Sequence, residues 1–246
     1  MKVLVLGHEG MLGHTVKNYI SGKDDCDVEV IFDRWPSDSF KERIQLFEGD
    51  VIVNCIGAIP QRKVLFGVNY KLPIWLDSNS PCNVIHPGTD CEADKDPYGE
   101  SKYKAFEYLK TQGAKTKIIK CSIIGHEVNS KHSLLDWFLS CKDRSVKGYT
   151  KCMWNGITTL QWAKICYGVA KNFEDYEFVS TPATECISKA ELLNVMKEVY
   201  SKNIIVVGDD SKVLDKCLVG DIEVPDIKSQ LKELKQFFLC LEAGMF

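Results

Sequence analysis

Residues 2–20 read KVLVLGHEGMLGHTVKNYI, and this stretch decides the fold. Its first half is a continuous apolar run typical of a buried strand, and its second half has the period of an amphipathic helix. Glycines occupy positions 7, 10 and 13 between the two halves. There the first glycine permits a tight turn, the second lets backbone approach a pyrophosphate, and the third lets the helix pack against the strand. The stretch predicts a dinucleotide-binding turn whose contacts are Gly7, His8, Gly10, Met11, Leu12 and Gly13.

Apolar strands and helices alternate along the first half of the chain. Because strands that are apolar on both faces indicate a parallel sheet covered by helices, we predict a doubly wound α/β fold of Rossmann type. The predicted strands are 2–7, 28–32, 50–57, 82–86 and 116–125. The predicted helices are 11–20, 98–112 and part of 69–79, which Pro73 should bend or interrupt.

The rhythm changes after about residue 126. Helices are predicted at 133–141, 158–173, 188–201 and 226–242, with short strands at 176–180 and 203–208. Ser188 with Glu191 three residues later predicts a capping box at the start of the third of these helices. We therefore predict a dinucleotide-binding core over 1–126, and over 127–246 a mostly substrate-binding lobe with elements that return to the core.

Small or polar residues follow each predicted strand, at the edge where such folds bind ligands. After the second strand, Asp33 fits the hydroxyls of an NAD ribose, while its neighbour Arg34 favours the 2′-phosphate of NADP, so the choice stays open. The remaining predicted cofactor contacts at this edge are Cys55, Ile56, Gly57, Ser122 and Ile124.

The bulk composition excludes several classes of protein. A net charge of −3 gives no electrostatic reason to expect nucleic acid or an anionic membrane as a partner. No apolar run approaches the roughly 18 residues that span a bilayer. The 11 cysteines stand singly, without a CxxC pair, so we expect no metal site, reduced and mostly buried thiols, and a cytoplasmic location.

The segment DPYGESK, residues 96–102, places Tyr98 and Lys102 four positions apart. Residues at this spacing share a helix face, so the two side chains can address one small volume. By itself the pair is also compatible with a solvated helix face. Thr89 offers a hydroxyl after the fourth strand, at the same edge of the sheet.

These motifs in this order resemble the extended short-chain dehydrogenase/reductase superfamily. Within it, GTDC, YGESK, CSIIGHE, SLLDWFL and KGYTKCMWNGITTLQWAK are similar to segments of the dTDP-4-dehydrorhamnose reductase family, and the matching segments run from residue 1 to about 240. The resemblance implies NADPH or NADH as cofactor, a nucleotide-sugar substrate and a role in deoxysugar or glycan precursor synthesis. It is compatible with a homodimer.

The resemblance also implies roles for individual residues. Tyr98 would be the general acid, Lys102 would lower its pKa and hold the nicotinamide ribose, and Thr89 would polarise the substrate carbonyl. Asn69 would belong to the cofactor-side segment. Asp90, Trp154 and Asn155 would contact substrate, although Trp154 could equally pack between the lobes. His86 and His126 are expected to be structural.

The sequence departs from the family pattern in three places. Thr89 and Tyr98 are separated by a shortened segment, the stretch from Asp33 to Asn54 is also short, and Gly88 stands where the family has serine. Two alternatives to a reductase therefore stay open. One is an epimerase or dehydratase on the same fold, and the other is a non-catalytic dinucleotide-binding protein resembling the regulatory subunit of methionine adenosyltransferase.

Overall fold

The structure, a computed structural model, describes residues 1–61 and 65–244. It divides into two compact units. Unit 1 comprises Met1–Lys120 and Ala163–Ser180, and unit 2 comprises Cys121–Trp162 and Thr181–Phe246. The assignment of cofactor binding to 1–126 and of substrate binding mostly to 127–246 stays a prediction.

Helices and strands alternate through unit 1. Up to residue 120 they are β1 (Lys2–Leu6), α1 (Met11–Ser21), β2 (Asp27–Val30), α2 (Asp38–Gln45), β3 (Val51–Asn54), α3 (Val68–Asn79), β4 (Asn83–Gly88), a 3-10 helix (Asp90–Ala93), α4 (Pro97–Gln112) and β5 (Thr116–Lys120). The later elements of the chain are β6 (Ile123–Ile124), α5 (Leu134–Ser140), β7 (Ser145–Trp154), β8 (Ile157–Thr158), α6 (Thr159–Lys171), a 3-10 helix (Phe173–Asp175), β9 (Val179–Ser180), β10 (Ile187–Ser188), α7 (Lys189–Val199), β11 (Ile205–Asp215) and α8 (Ile227–Glu242).

Six parallel strands form the sheet of unit 1, in the order β2-β1-β3-β4-β5-β9. The predicted α/β fold with a doubly wound parallel sheet is confirmed. The chain reverses its direction of winding at β1, so the carboxyl ends of β1 and β3 flank the crevice in which such sheets bind ligands. One buried cluster packs side chains of β1 and β3 against helices α2 and α3, and it includes Leu4, Leu6, Phe40, Ile44, Ile52, Leu72 and Leu76.

Three elements differ from the prediction, two in unit 1 and one in unit 2. Helix α3 continues through Pro73, although proline has no N–H to donate to the carbonyl of Asn69. Helix α2 was missed because only Phe40 and Ile44 give its eight residues an apolar face. Strand β7 in unit 2 was missed because its ten residues bury few side chains.

Unit 2 contains a three-stranded sheet in the order β10-β7-β11 and a two-stranded pair of β6 with β8. Strand β11 is longer than predicted and is parallel to β7. The capping box predicted for α7 is confirmed, because Ser188 accepts from the Glu191 N–H while the Glu191 carboxylate accepts from the Ser188 N–H.

The expectation that all the cysteines are reduced is wrong for two of them. Cys186 and Cys217 form a disulfide in unit 2. Single cysteines with no CxxC spacing gave no signal for this pair, since 31 residues separate the two positions and only the fold brings them together. The carboxylate of Asp215 lies within 4.8 Å of both sulfurs, but sulfurs bonded to each other offer no thiolate to a metal. Among the described residues, no helix is long and apolar enough to cross a membrane.

Candidate active site

The glycine turn between β1 and α1 has the geometry expected from its sequence. Gly7 has a φ of +74°, which side-chain-bearing residues rarely adopt. A Cβ on Gly13 would lie 2.2 Å from the carbonyl oxygen of Gly7, so α1 can pack this closely on the turn only with glycine there. A Cβ on Gly10 would meet its nearest neighbour, the same oxygen, at 3.3 Å.

The residues of this turn fit a phosphate group. Gly10 is the N-cap of α1, and neither a side-chain cap nor an acidic residue occupies the first turn. The amide groups and positive end of the helix dipole are therefore not neutralised by the helix itself. His8 adds a buried Nδ1 for which the described residues provide no hydrogen-bond partner. Met11 and Leu12 form the first turn of α1.

At the end of β2, Asp33 is partly exposed and forms an ion pair with Arg43 of α2, with 3.1 Å between Oδ2 and Nε. Arg34 is exposed. Phe32, exposed over 76% of its surface, stacks edge-on against the ring of His8 at 4.8 Å. The choice between a ribose hydroxyl and a 2′-phosphate remains open at this position, because a carboxylate and two guanidinium groups are all near the strand end.

The segment after β3 is held by Asn69 of α3. The Asn69 side chain accepts from the Ala58 N–H at 2.7 Å and donates to the Ala58 carbonyl and to the Ser101 hydroxyl, both at 3.0 Å. This clamp ties the segment that contains Cys55, Ile56 and Gly57 to α4. Gly57 is exposed and keeps room beside the clamp, since a Cβ there would lie 3.5 Å from the Asn69 oxygen.

The short segment between β4 and α4 is densely hydrogen-bonded. Thr89 caps the 3-10 helix that follows β4 in a full capping box with Glu92. Its hydroxyl donates to Asp90 at 3.1 Å and accepts from the Cys91 N–H at 3.2 Å. Asp96 caps α4. These bonds fix the position of the Thr89 hydroxyl at the carboxyl end of the sheet.

Two glycines let this segment be so short. A Cβ on Gly99 would lie 2.3 Å from the carbonyl oxygen of Cys91, and a Cβ on Gly88 would lie 2.8 Å from the side chain of Ile118. A serine at position 88, as in the family pattern, would not fit against β5. Thr89 is therefore the hydroxyl residue that this turn can carry.

Tyr98 lies in the first turn of α4 with its ring against Phe66 at 5.8 Å. Burial raises the pKa of Tyr98 to about 12, a hydrogen bond with Thr89 opposes this, and the pKa is further raised by Cys91, Asp90 and Glu92. The expectation that the phenol pKa lies below its usual value near 10 is wrong for this structure. The proton is held on the phenol at neutral pH.

Lys102 is buried and does not face solvent as a lysine on a helix surface would. Its Nζ donates to the Pro87 carbonyl at 2.8 Å and lies 3.3 Å from Nε2 of His86. Burial lowers the pKa of Lys102 to about 8, and Glu92 acts in the opposite direction. The structure thus brings Thr89, Tyr98 and Lys102 together where β4 ends and α4 begins.

The predicted site residues of unit 2 make contacts within that unit. Trp154 is buried at the end of β7, and the Asn155 side chain exchanges two hydrogen bonds with the backbone of Leu218. The Ser122 carbonyl accepts from the Ile157 N–H, and Ile124 is buried in β6. Roles for these four in substrate or cofactor binding stay predictions.

The ring of His126 makes two polar contacts within unit 2, and its structural role stays a prediction. Its Nδ1 lies 2.8 Å from an Asp136 oxygen and its Nε2 lies 2.9 Å from the Tyr200 hydroxyl. The ring therefore links the end of β6 to α5 and to the end of α7.

Several side chains at the site were not found from the sequence. Asn54 and Ser101 bind residues distant in sequence, and Glu92 pairs with Lys120 of β5 at 2.7 Å. The capping-box spacing of Thr89 and Glu92 was a usable signal for one of them. Contacts between strands carry no comparable short-range pattern.

No protein-family model matches the sequence, and no curated protein matches it either. Solved structures do match. A dTDP-4-dehydrorhamnose reductase from Bacillus anthracis, in complex with NADP, has a TM-score of 0.82 at 12% identity, with 96% of this chain and 99% of that chain covered. One from Clostridium acetobutylicum has a TM-score of 0.79 at 15% identity, with 97% and 100% covered.

Enzymes of other reaction classes share this fold. A UDP-glucuronic acid 4-epimerase from Bacillus cereus, in complex with NAD, has a TM-score of 0.72 at 13% identity and is covered over its whole length by 98% of this chain. The predicted resemblance is confirmed at the level of fold. The chain has the Rossmann-like fold of extended short-chain dehydrogenase/reductase structures that act on nucleotide sugars.

Proposed function

We propose that this protein is a reductase that uses NADPH or NADH to reduce a nucleotide-linked 4-keto-6-deoxy sugar, as a dTDP-4-dehydrorhamnose reductase does, in deoxysugar or glycan precursor synthesis. The observation that carries the proposal is the Tyr98 phenol, hydrogen-bonded to Thr89 and one helical turn from the buried Lys102. A cytoplasmic location is part of the proposal. The Cys186–Cys217 disulfide argues against that part, because reducing compartments keep most thiols reduced.

The glycine turn, the residues after β2 and β3, and Lys102 would hold the dinucleotide. The first turn of α1 offers amide groups without a side-chain cap to the pyrophosphate. Asp33 with Arg34 and Arg43 would contact the adenosine ribose or its phosphate. When bound, the reduced nicotinamide supplies the hydride.

Tyr98 would supply the proton. Because burial keeps its pKa near 12, the phenol is protonated throughout the neutral range and can donate to the keto oxygen as the carbon below it is reduced. Starting from an alcohol would instead require a phenolate, which burial disfavours. The phenolate left after reduction must regain a proton before the next turnover, because burial disfavours it equally as a product.

Thr89 would orient this proton transfer. The Thr89 hydroxyl has a single hydrogen, which it can donate to Asp90 or to the phenol oxygen of Tyr98, and only the bond to Tyr98 lowers the pKa of the phenol. Polarisation of the carbonyl by Thr89 requires that its hydrogen leave Asp90.

The purified protein should consume NADPH or NADH with a dTDP- or UDP-linked 4-keto-6-deoxy sugar. Tyr98→Phe should abolish turnover and leave dinucleotide affinity nearly unchanged. The matched control is Tyr103→Phe, since Tyr103 lies on the same helix and is exposed. Equal turnover of Tyr98→Phe and the wild type would contradict the mechanism.

An epimerase on the same fold is separated from a reductase by its products. An epimerase returns the dinucleotide to its starting redox state, whereas a reductase oxidises one NADPH per sugar. NMR spectroscopy of the product sugar together with absorbance at the nicotinamide band distinguishes the two.

A non-catalytic dinucleotide-binding protein is the second candidate, and the Thr89 hydroxyl favours it. That hydroxyl already makes its own donor bond and is held by the cap, as in a turn kept for structure alone. Dinucleotide binding without turnover across a panel of keto sugars, equal for the wild type and Tyr98→Phe, would support this candidate.

A further inference from the structure

His86 lies inside the sheet, three residues before Thr89 on β4, and is 2% exposed. Its two ring nitrogens face two different side chains. Nδ1 lies 3.1 Å from the amide nitrogen of Asn54 on β3, and Nε2 lies 3.3 Å from Nζ of Lys102 on α4. A buried ring with both nitrogens engaged must satisfy both partners with a single set of protons.

The Asn54 amide decides where the imidazole proton resides. Its oxygen accepts from the Ile56 backbone N–H at 3.1 Å, which assigns the NH₂ group to the side facing His86. An amide NH₂ only donates, so Nδ1 of His86 must accept. The neutral ring then carries its proton on Nε2, where it points at Lys102.

This arrangement treats the two charge states of Lys102 differently. A neutral Lys102 amine has a lone pair and accepts from the Nε2 proton while it donates to the Pro87 carbonyl. An ammonium has no lone pair, so its hydrogens would face the hydrogen of the ring. Protonation therefore removes one buried hydrogen bond and repels Nζ from His86.

We propose that His86, locked in the Nε2-protonated tautomer by Asn54, is a positioning residue that couples the charge of Lys102 to its orientation. The amine form is held inward by His86. The ammonium form turns away from the ring, toward the Tyr98 side of the site, where it can hold the ribose of a bound dinucleotide. The inference deepens the proposed function. It rests on that function in one respect, because the outward position of the ammonium has a role only if a dinucleotide binds there.

The other charged groups around Lys102 are consistent with this coupling. Glu92 from the 3-10 helix favours the ammonium, but its carboxylate is paired with Lys120 of β5. Tyr98 on α4 stays neutral. Burial, together with the nearby Lys102, holds the pKa of His86 well below its usual value, so the ring itself does not take up the proton. Lys102 is the group that titrates.

The tautomer is measured directly on the protein without any ligand. In ¹⁵N-labelled protein, the two ring nitrogens of a neutral histidine have well-separated chemical shifts that identify the protonated one. We expect His86 to be protonated on Nε2 below and above pH 8. A ring protonated on Nδ1 overturns the inference, whether or not the protein is an enzyme.

The titration of Lys102 provides the second test, followed by the ¹³Cε shift of labelled lysine and assigned with Lys102→Met. In His86→Gln the amide can turn to accept from the ammonium, so the midpoint should rise by about one pH unit, a tenfold change in the protonation equilibrium. His132→Gln is the matched control, because His132 is exposed and should leave the midpoint unchanged. An unchanged midpoint in His86→Gln overturns the inference.

Asn54→Asp should reverse the tautomer of His86. A carboxylate at this position accepts both from the Ile56 N–H and from Nδ1–H of His86, which leaves Nε2 free to accept from the ammonium. The ring should switch to the Nδ1-protonated tautomer and the Lys102 midpoint should rise. A ring that keeps its tautomer in this variant contradicts the assignment of Asn54 as the lock.

The pH profile of turnover separates this inference from the proposed function. If the protein reduces keto sugars, the alkaline limb of kcat/KM should move upward in His86→Gln together with the Lys102 midpoint. If no turnover is found but the His86 tautomer and the Lys102 midpoints are as expected, the proposed reductase is refuted and the role of His86 stands. If turnover is found but the alkaline limb of kcat/KM does not move in His86→Gln, the coupling between His86 and Lys102 is refuted and the reductase stands.

Discussion

Two turns at the carboxyl edge of the same sheet are built in opposite ways. The β1–α1 turn is mostly bare backbone, with glycines at the tight positions and no side-chain cap on α1. The β4–α4 segment carries a capping box, a second N-cap and buried charged groups. A surface that receives phosphate must leave its amide groups available, whereas a site that transfers a proton must fix its side chains.

Placing a side chain in the β1–α1 turn should have the largest effect on stability. In Gly13→Val the new side chain begins 2.2 Å from the Gly7 carbonyl oxygen, so the protein should lose about 3 kcal/mol of stability or more. Gly10→Ala is the control, because its Cβ would lie 3.3 Å from the same oxygen, a tight contact that a shift of a few tenths of an ångström relieves. It should fold normally and bind NADPH more weakly. Urea denaturation and fluorescence titration measure the two effects, and a stable Gly13→Val would contradict the close packing of α1.

The buried charge of the second turn should make stability depend on pH. The pKa of Lys102 is about 8 in the folded protein and near its ordinary value of about 10.5 when unfolded. Between these values the unfolded chain binds more protons, so the free energy of unfolding rises with pH, by at most about 3 kcal/mol in total. Lys102→Met should lack this rise. The comparison requires urea denaturation of both proteins from pH 7 to 10.5, and parallel curves would contradict the lowered pKa.

Crowding within the second turn should have an intermediate effect. Gly99→Ala places a methyl group 2.3 Å from the Cys91 carbonyl oxygen and should destabilise the protein by about 2 kcal/mol. Gly67→Ala, at the start of α3, meets nothing closer than 4.0 Å and should be nearly neutral. Thermal unfolding of the pair tests whether the short segment depends on glycine for its length.

Loss of the Thr89 hydroxyl should have the smallest effect on stability. Thr89→Val keeps the shape but removes the cap of the 3-10 helix and the partner of Tyr98, for about 1 kcal/mol. Thr89→Ser should restore both. If the enzyme is a reductase, Thr89→Val should also lower kcat without changing the affinity for NADPH. Equal kinetics of the valine and serine variants would remove Thr89 from the mechanism.

Local patterns in the sequence were enough for the parallel sheet and the glycine turn. The alternation of apolar strands with helices, the GxxGxxG spacing and the capping box at Ser188 all depend on contacts between residues close in sequence. Helix α2 and strand β7 were not predicted, because their few buried residues give weak periodicity. The disulfide escaped because its cysteines are distant in sequence.

The site was predicted in its residues but not in its electrostatics. The sequence placed Tyr98, Lys102 and Thr89 at one edge, yet it suggested a lowered phenol pKa where burial raises it. It also treated His86 as structural, because nothing near position 86 indicates that Asn54 and Lys102 contact its ring.

The sequence by itself determined the parallel α/β sheet of a dinucleotide fold and the spacing of a tyrosine and a lysine on one helix face, since both follow from periodicity and turn chemistry. Only the tertiary structure decided the charge state of that pair. Desolvation and the proton on His86 depend on strands β3 and β4 and helix α4 meeting in space, and a pKa is set by everything around a group rather than by its neighbours in the chain.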